Sequence, residues 1–254
     1  MKDLIVFKVG NNRYALNIEN IQRIIQATDL IDIPNAHHLI DGMLSYESDV
    51  IKVVNFRKLI GIQRYKEELE TLFLRLKDAH QSWIDGLRQS VDRGASFTGT
   101  LDPHKCELGL WLDNFNSYDD RVTAILKDLI KNHKDLHVYG SDVLRLKELD
   151  TKQASDMINK EIYDSFSHTM SDMDIFISEL DKVANSLQKF IIYEDDVDTF
   201  AIKVDVIEDI AHIEDKDLIS TNENNNRNEF LNLNGILDLK GVLINVIETV
   251  KLPN

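Results

Sequence analysis

The chain has 254 residues, 43% of them apolar, and 44 acidic against 29 basic side chains give it a formal net charge of −15. That length admits one or two domains, and the apolar share is too high for a disordered chain. The acidic surface argues against nucleic-acid binding through phosphates and against docking on an anionic membrane, and no apolar run approaches a membrane span.

The N-terminal stretch MKDLIVFKVGNNRYAL alternates apolar and polar residues around Gly10-Asn11-Asn12, the pattern of a β-hairpin and not of a signal peptide. The β-branched run Val50-Ile51-Lys52-Val53-Val54 predicts a further strand. Residues 66–188 change texture. Leu69, Leu72, Phe73, Leu76, His80, Trp83 and Leu87 recur at steps of three and four, as do Val122, Leu126, Leu129, His133 and His137. Ile158, Ile162, Phe166, Met170, Met173, Phe176, Leu180, Val183 and Leu187 do the same. Each set is one apolar stripe on a helix. A shorter helix is expected over Cys106 to Phe115, opened by Asp102-Pro103. Three long helices and one short one fit an antiparallel four-helix bundle.

The segment after the helices repeats the one before them. Leu4 to Ile25 aligns without gaps on Phe190 to Ala211 at an offset of 186, and Gly42 to Leu59 on Gly235 to Leu252 at an offset of 193. Duplicated units of about five strands predict two small barrels. The fold class expected is therefore α+β, a pair of five-stranded β-barrels interrupted by a helical bundle: β-structure over 1–65 and 189–254, helices over 66–188. The polar stretch Thr221 to Asn228 reads as a loop within the second β-half.

His133 and His137 are four residues apart on one helix, so their rings share a face and can grip one ion. His80 lies on the core stripe of the first helix, and Cys106, the single cysteine, opens the short one. Three imidazoles and one thiolate complete a tetrahedral zinc shell, with bonds of about 2.0 Å to nitrogen and 2.3 Å to sulfur. Without an ion, each buried imidazole needs its own partner in a core with few polar groups. His104 is an alternative ligand close to Cys106, ranked below His80 because Pro103 and Lys105 suggest an exposed loop. His37, His38, His168 and His212 fall outside the cluster.

Residues 104–113, HKCELGLWLD, resemble the Cys-x-x-Gly-x-Trp core of the chemoreceptor zinc-binding (CZB) domain, with matches at Cys106, Gly109 and Trp111. His80, His133 and His137 follow that family's order of ligands. The resemblance implies one zinc per chain in a four-helix bundle, in proteins that sense zinc or oxidants. It also leaves self-association through the bundle as an option. The β-repeat resembles the CheW-like domain: IPNAHHLIDGMLSYESDVIKVVNFRKLIGI follows its Ile-Pro…Gly-hydrophobic…Leu-Gly pattern. That resemblance implies two small barrels and, as partners, a CheA-type histidine kinase, chemoreceptors or other CheW-like domains. Where the family commonly has Arg-Gly, this chain has Glu47-Ser48, a reversal of charge on the surface used for partner contacts.

The expected function is a cytoplasmic chemotaxis adaptor carrying a zinc site, with Cys106 its redox-sensitive ligand toward hypochlorous acid or peroxide. A constitutive scaffold with a purely structural zinc is the alternative. A zinc enzyme is disfavoured, because four ligands close the shell and no HExxH, Gly-rich phosphate loop or nucleophile elbow occurs.

Overall fold

The computed structural model describes residues 2–117, 119–219 and 228–253. The polar stretch 221–228 lies outside them except for Asn228. The chain forms two compact units, one of residues 1–65 with 184–254 and one of residues 66–183.

The first unit is built of β-strands: β1 (Lys2–Val9), β2 (Asn12–Asn17), β3 (Ile21–Gln26), β4 (Ile40–Tyr46) and β5 (Asp49–Asn55), then, after the helices, β6 (Lys189–Glu194), β7 (Thr199–Val204), β8 (Val206–Ile213), β9 (Leu218–Ile219), β10 (Leu231–Leu239) and β11 (Val242–Val250). They form a six-stranded sheet in the order β8-β1-β2-β11-β10-β9 and a five-stranded sheet in the order β3-β6-β7-β5-β4. Under the two sequence offsets the second order maps onto the first, with β9 as the added edge. The register agrees as well. Phe7 faces Tyr14 across the β1–β2 hairpin as Tyr193 faces Phe200 across β6–β7. The two parallel pairings, Val53 with Ala201 and Val246 with Ala15, are also equivalent.

The repeat is real, yet neither copy makes a sheet alone. Each sheet takes the first hairpin of one copy and the later strands of the other: β1 and β2 join β8–β11, and β6 and β7 join β3–β5. The sequence reading placed five strands in each copy and one barrel per copy. The structure differs because strand partners are chosen over long range, and β9, only two residues long, leaves no periodic signal. One core cluster draws Phe7, Tyr14 and Leu16 from one sheet and Ile191, Tyr193 and Phe200 from the other. Each sheet has a core of its own besides, and these are equivalent too: Leu4, Val6, Ala15 and Val246 against Phe190, Ile192, Ala201 and Val53. A one-residue slip in either copy would expose one core while filling the other, so register is strongly specified.

The β unit also holds the short α1 (Phe56–Leu59). The helical unit contains α2 (Tyr65–Arg93), α3 (Glu107–Asn114), α4 (Asp120–Lys147), α5 (Thr151–Met157), α6 (Tyr163–Ser178) and α7 (Leu180–Leu187), with α2 and α7 running across its boundaries. Asp119 caps α4 by accepting the amides of Arg121 and Val122, and Asp150 caps α5 in the same way. The last long helix expected from Ile158 to Leu187 is not continuous. It begins earlier, at Thr151, widens to a π-helical segment over Ile158–Ile162, and breaks at Glu179 before α7. Steps of three and four run through all of these, so the apolar stripe alone does not reveal the break.

Candidate metal centre

Four side chains, three from two helices and one from the cap of a third, meet in the core of the helical unit. Their ligand atoms, one each from His80, Cys106, His133 and His137, lie within 4.8 Å of one another. His80 comes from α2, and His133 and His137 lie one turn apart on α4; all three are buried. Cys106 is half-buried at the N-cap of α3, where its Sγ accepts the Gly109 amide at 3.2 Å. Its Sγ stands 3.0 Å from His133 Nε2. The helix periodicity that puts the three histidines on inward stripes is thus what gathers their rings, and the cap of α3 brings Cys106 to them.

Backbone carbonyls orient two of the rings. His80 Nδ1–H donates to Leu76 O at 2.7 Å, one turn back on its own helix. His137 Nδ1–H donates to Thr100 O at 3.2 Å, in the loop between α2 and α3. In both, Nε2 is left as the free donor atom. Among the described residues, His80 Nε2 and His137 Nε2 are buried polar atoms without a hydrogen-bond partner. Each such orphan costs about 1–3 kcal/mol, so two side by side in one core point to a ligand both would serve.

The electrostatics agree. Burial, reinforced by the neighbouring histidines, pushes His133 down to about 2. Burial first, then the charge of His80, pushes His137 down to about 4, and burial lowers His80 also. At neutral pH all three rings are therefore uncharged, the form that ligates a metal. Burial raises the Cys106 thiol, against the pull of the Gly109 amide; a bound cation would release that proton. A tetrahedron with bonds of about 2.0 and 2.3 Å has edges of roughly 3.3–3.5 Å, a spacing these four atoms accommodate. Three imidazoles and one sulfur form a donor set that suits zinc.

The other residues singled out from the sequence fall as follows. Gly109 packs where no side chain fits: a Cβ there would sit 1.6 Å from the Pro103 carbonyl oxygen. Trp111 stacks on Phe115 and meets Phe73 and Phe176 edge-on, so it anchors α3 through an aromatic cluster. His104 is exposed and paired with Asp113 at 3.0 Å, outside the cluster of four. Glu47 and Ser48 form the β4–β5 turn in the β unit, Glu47 with φ of 54°. The equivalent turn of the second copy, between β10 and β11, is Lys240-Gly241. Sequence reasoning missed the carbonyls of Leu76 and Thr100, and it took Trp83 for a core residue only. The Trp83 indole N–H donates to Thr100 O at 2.7 Å.

Two family models match the chain: the CheW-like domain over residues 3–84 and the chemoreceptor zinc-binding domain over residues 80–144. Residues 3–84 are thus similar to CheW-like domains and residues 80–144 to chemoreceptor zinc-binding domains, both within one polypeptide. It is 23% identical over 152 residues to the Chemotaxis protein CheW of Thermotoga maritima, 59% of this chain and 91% of that protein. Among solved structures it is similar to the scaffolding protein TtCheW from Thermoanaerobacter tengcongensis, at 11% identity, TM-score 0.46, and coverage of 98% of this chain and 90% of that one. It is also similar to the regulatory CZB domain of DgcZ, at 17% identity, TM-score 0.37, and coverage of 44% and 98%. No helix of the described residues is long and apolar enough to cross a membrane.

Proposed function

We propose that this protein is a chemotaxis adaptor whose helical unit holds one zinc ion and reports its state. In this reading, 1–65 and 189–254 form one CheW-like domain with 66–188 inserted, and its partners are a CheA-type histidine kinase, chemoreceptors or other CheW-like domains. Glu47 and Ser48 would lie on the partner surface. His80, Cys106, His133 and His137 would hold the metal. The observation that carries the reading is the convergence of four donor atoms with two buried imidazole nitrogens left unpaired. The reading includes no catalytic step, since four protein ligands leave no open position for substrate.

The exposure of the ligands favours a sensor over an inert scaffold. The three histidines are buried, whereas Cys106 is half-exposed, so the one oxidisable ligand is also the one that solvent reaches. Hypochlorous acid would pass its oxygen to the Cys106 thiolate, giving sulfenic acid and chloride. The thiolate donor is then lost and the remaining three hold the ion more weakly. The test is zinc release and kinase output measured together across an oxidant titration. Release near one equivalent of oxidant, absent in Cys106→Ser, supports the sensor. Zinc retained at that dose, with unchanged kinase output, leaves the constitutive scaffold.

A further inference from the structure

The Trp83 indole is held in a slot that the chain clears for it. On one side is Gly140 of α4, where a Cβ would stand 2.4 Å from the ring's Cη2. On the other is Gly99, where a Cβ would stand 2.7 Å from Cδ1 and 2.9 Å from Nε1. Phe97 closes the slot edge-on at 5.5 Å. Gly140 makes room for the indole and Gly99 for both the indole and Phe97, whose Cζ a Cβ there would meet at 2.5 Å, and the seating directs Nε1–H onto the Thr100 carbonyl at 2.7 Å. That same oxygen accepts His137 Nδ1–H at 3.2 Å, and the indole packs on the His137 ring at 5.1 Å. Both lone pairs of one carbonyl are therefore used by one tryptophan and one imidazole.

We infer that Trp83 is a positioning residue for the metal centre: by pinning the Thr100 carbonyl it fixes His137 in the tautomer whose Nε2 faces the other three ligands. This rests on the zinc reading above. The chemistry is that of an outer-shell partner. A ligating imidazole needs its second nitrogen held by an acceptor, which sets both the tautomer and the ring plane. Here the acceptor is a loop carbonyl, and a loop carbonyl can rotate away unless something holds it. The indole N–H holds it, anchored in turn by the helix packing at Gly140. A tryptophan that only filled the core would not need to share its acceptor with His137.

The test uses the full chain and Trp83→Phe, which keeps an aromatic ring and removes the N–H. Zinc affinity is read by competition with a chromophoric chelator, and the His137 tautomer by nitrogen NMR of the imidazoles after metal removal. Circular dichroism establishes that the variant is folded. The expected result is an affinity loss of about 10–100-fold, with His137 passing from the Nδ1–H form to a tautomer mixture. An affinity within about twofold of wild type, with the tautomer unchanged, overturns the inference. So does a metal-free wild-type protein whose His137 carries its proton on Nε2, a measurement that stands even if the variant fails to fold. A wild-type protein that takes up no zinc would instead defeat the zinc reading, and the tautomer would still decide the role of Trp83.

Discussion

Arg57 and Asp205, 148 residues apart in sequence, form a buried bidentate ion pair, with Arg57 Nη2 at 2.7 Å and Nε at 2.9 Å from the carboxylate. Asp205 also accepts the Gly10 amide at 2.8 Å and the Gln188 side chain at 2.9 Å, while Arg57 Nη1–H donates to Gln63 O and the guanidinium lies over the Tyr65 ring. One pair thus ties both sequence copies together and fixes the two chain segments that flank the helices. Arg57→Met or Asp205→Leu alone leaves a charge buried without its partner and should cost about 3–5 kcal/mol. The double variant should cost less, roughly 1–3 kcal/mol, chiefly for the orphaned Gly10 amide. Urea unfolding of the three proteins measures the difference. Additive single effects would mean that the two groups do not act as a pair.

Under the zinc reading, substitution should separate the four clustered side chains from their exposed neighbour. His133→Ala should lower zinc affinity more than about 100-fold, beyond what outer-shell partners command, and elemental analysis should find the protein nearly metal-free. His104→Ala, which removes the exposed ring paired with Asp113, should retain zinc. Wild-type protein at zinc a thousandfold above its dissociation constant should be about 4 kcal/mol more stable than after chelation. Equal metal loss in both variants would place His104 among the ligands.

Much of this was legible in the sequence, for identifiable reasons. The four residues that the structure clusters stood out because Cys106 is the only cysteine and because His80, His133 and His137 interrupt apolar stripes at helical spacing. The duplication was legible because both copies keep their alternation in register. What the sequence did not reveal depends on long-range choice or on backbone atoms. That β2 pairs with β11, and β5 with β7, follows from no property of those strands alone. The acceptors at Leu76 and Thr100 are carbonyls, which every residue has, so nothing marks them. The break at Glu179 was hidden because an interrupted helix keeps the same apolar spacing as a continuous one.

The β4–β5 turn carries a measurable strain. Glu47 has φ of 54°, a conformation that costs a residue with a Cβ about 1–2 kcal/mol and glycine nothing. Its ion pair with Arg23 is long, 3.9 Å, with both side chains mostly exposed, and an exposed pair of that kind contributes little. Glu47→Gly should therefore stabilise the β unit by up to about 1 kcal/mol after the added freedom of the unfolded chain is counted. Glu47→Gln, which keeps the strain and drops the charge, should leave it unchanged. Thermal unfolding distinguishes them, and stabilisation by both would assign the effect to charge.

Gly109 sets how closely α3 approaches the turn before it, and through that the position of the sulfur. A Cβ at 109 would stand 1.6 Å from Pro103 O and 2.8 Å from its carbonyl carbon. These are backbone atoms of a turn held by Lys105 N–H to Asp102 O and by His104 N–H to the Asp102 carboxylate, so they cannot swing aside as a side chain could. Because the Gly109 amide donates to Cys106 Sγ, shifting α3 to relieve the clash carries the thiolate away from the histidines. Gly109→Ala should cost about 3 kcal/mol, the upper end of the overpacking range, and its zinc affinity should fall with it. Gly86→Ala on α2 is the control. Its Cβ meets only Phe97, at 3.7 Å, so the better helix propensity of alanine should stabilise the unit by up to about 1 kcal/mol and leave zinc binding intact. Chemical unfolding and chelator competition on both variants test this, and wild-type zinc affinity in Gly109→Ala would show that the sulfur's position does not depend on the close approach of α3.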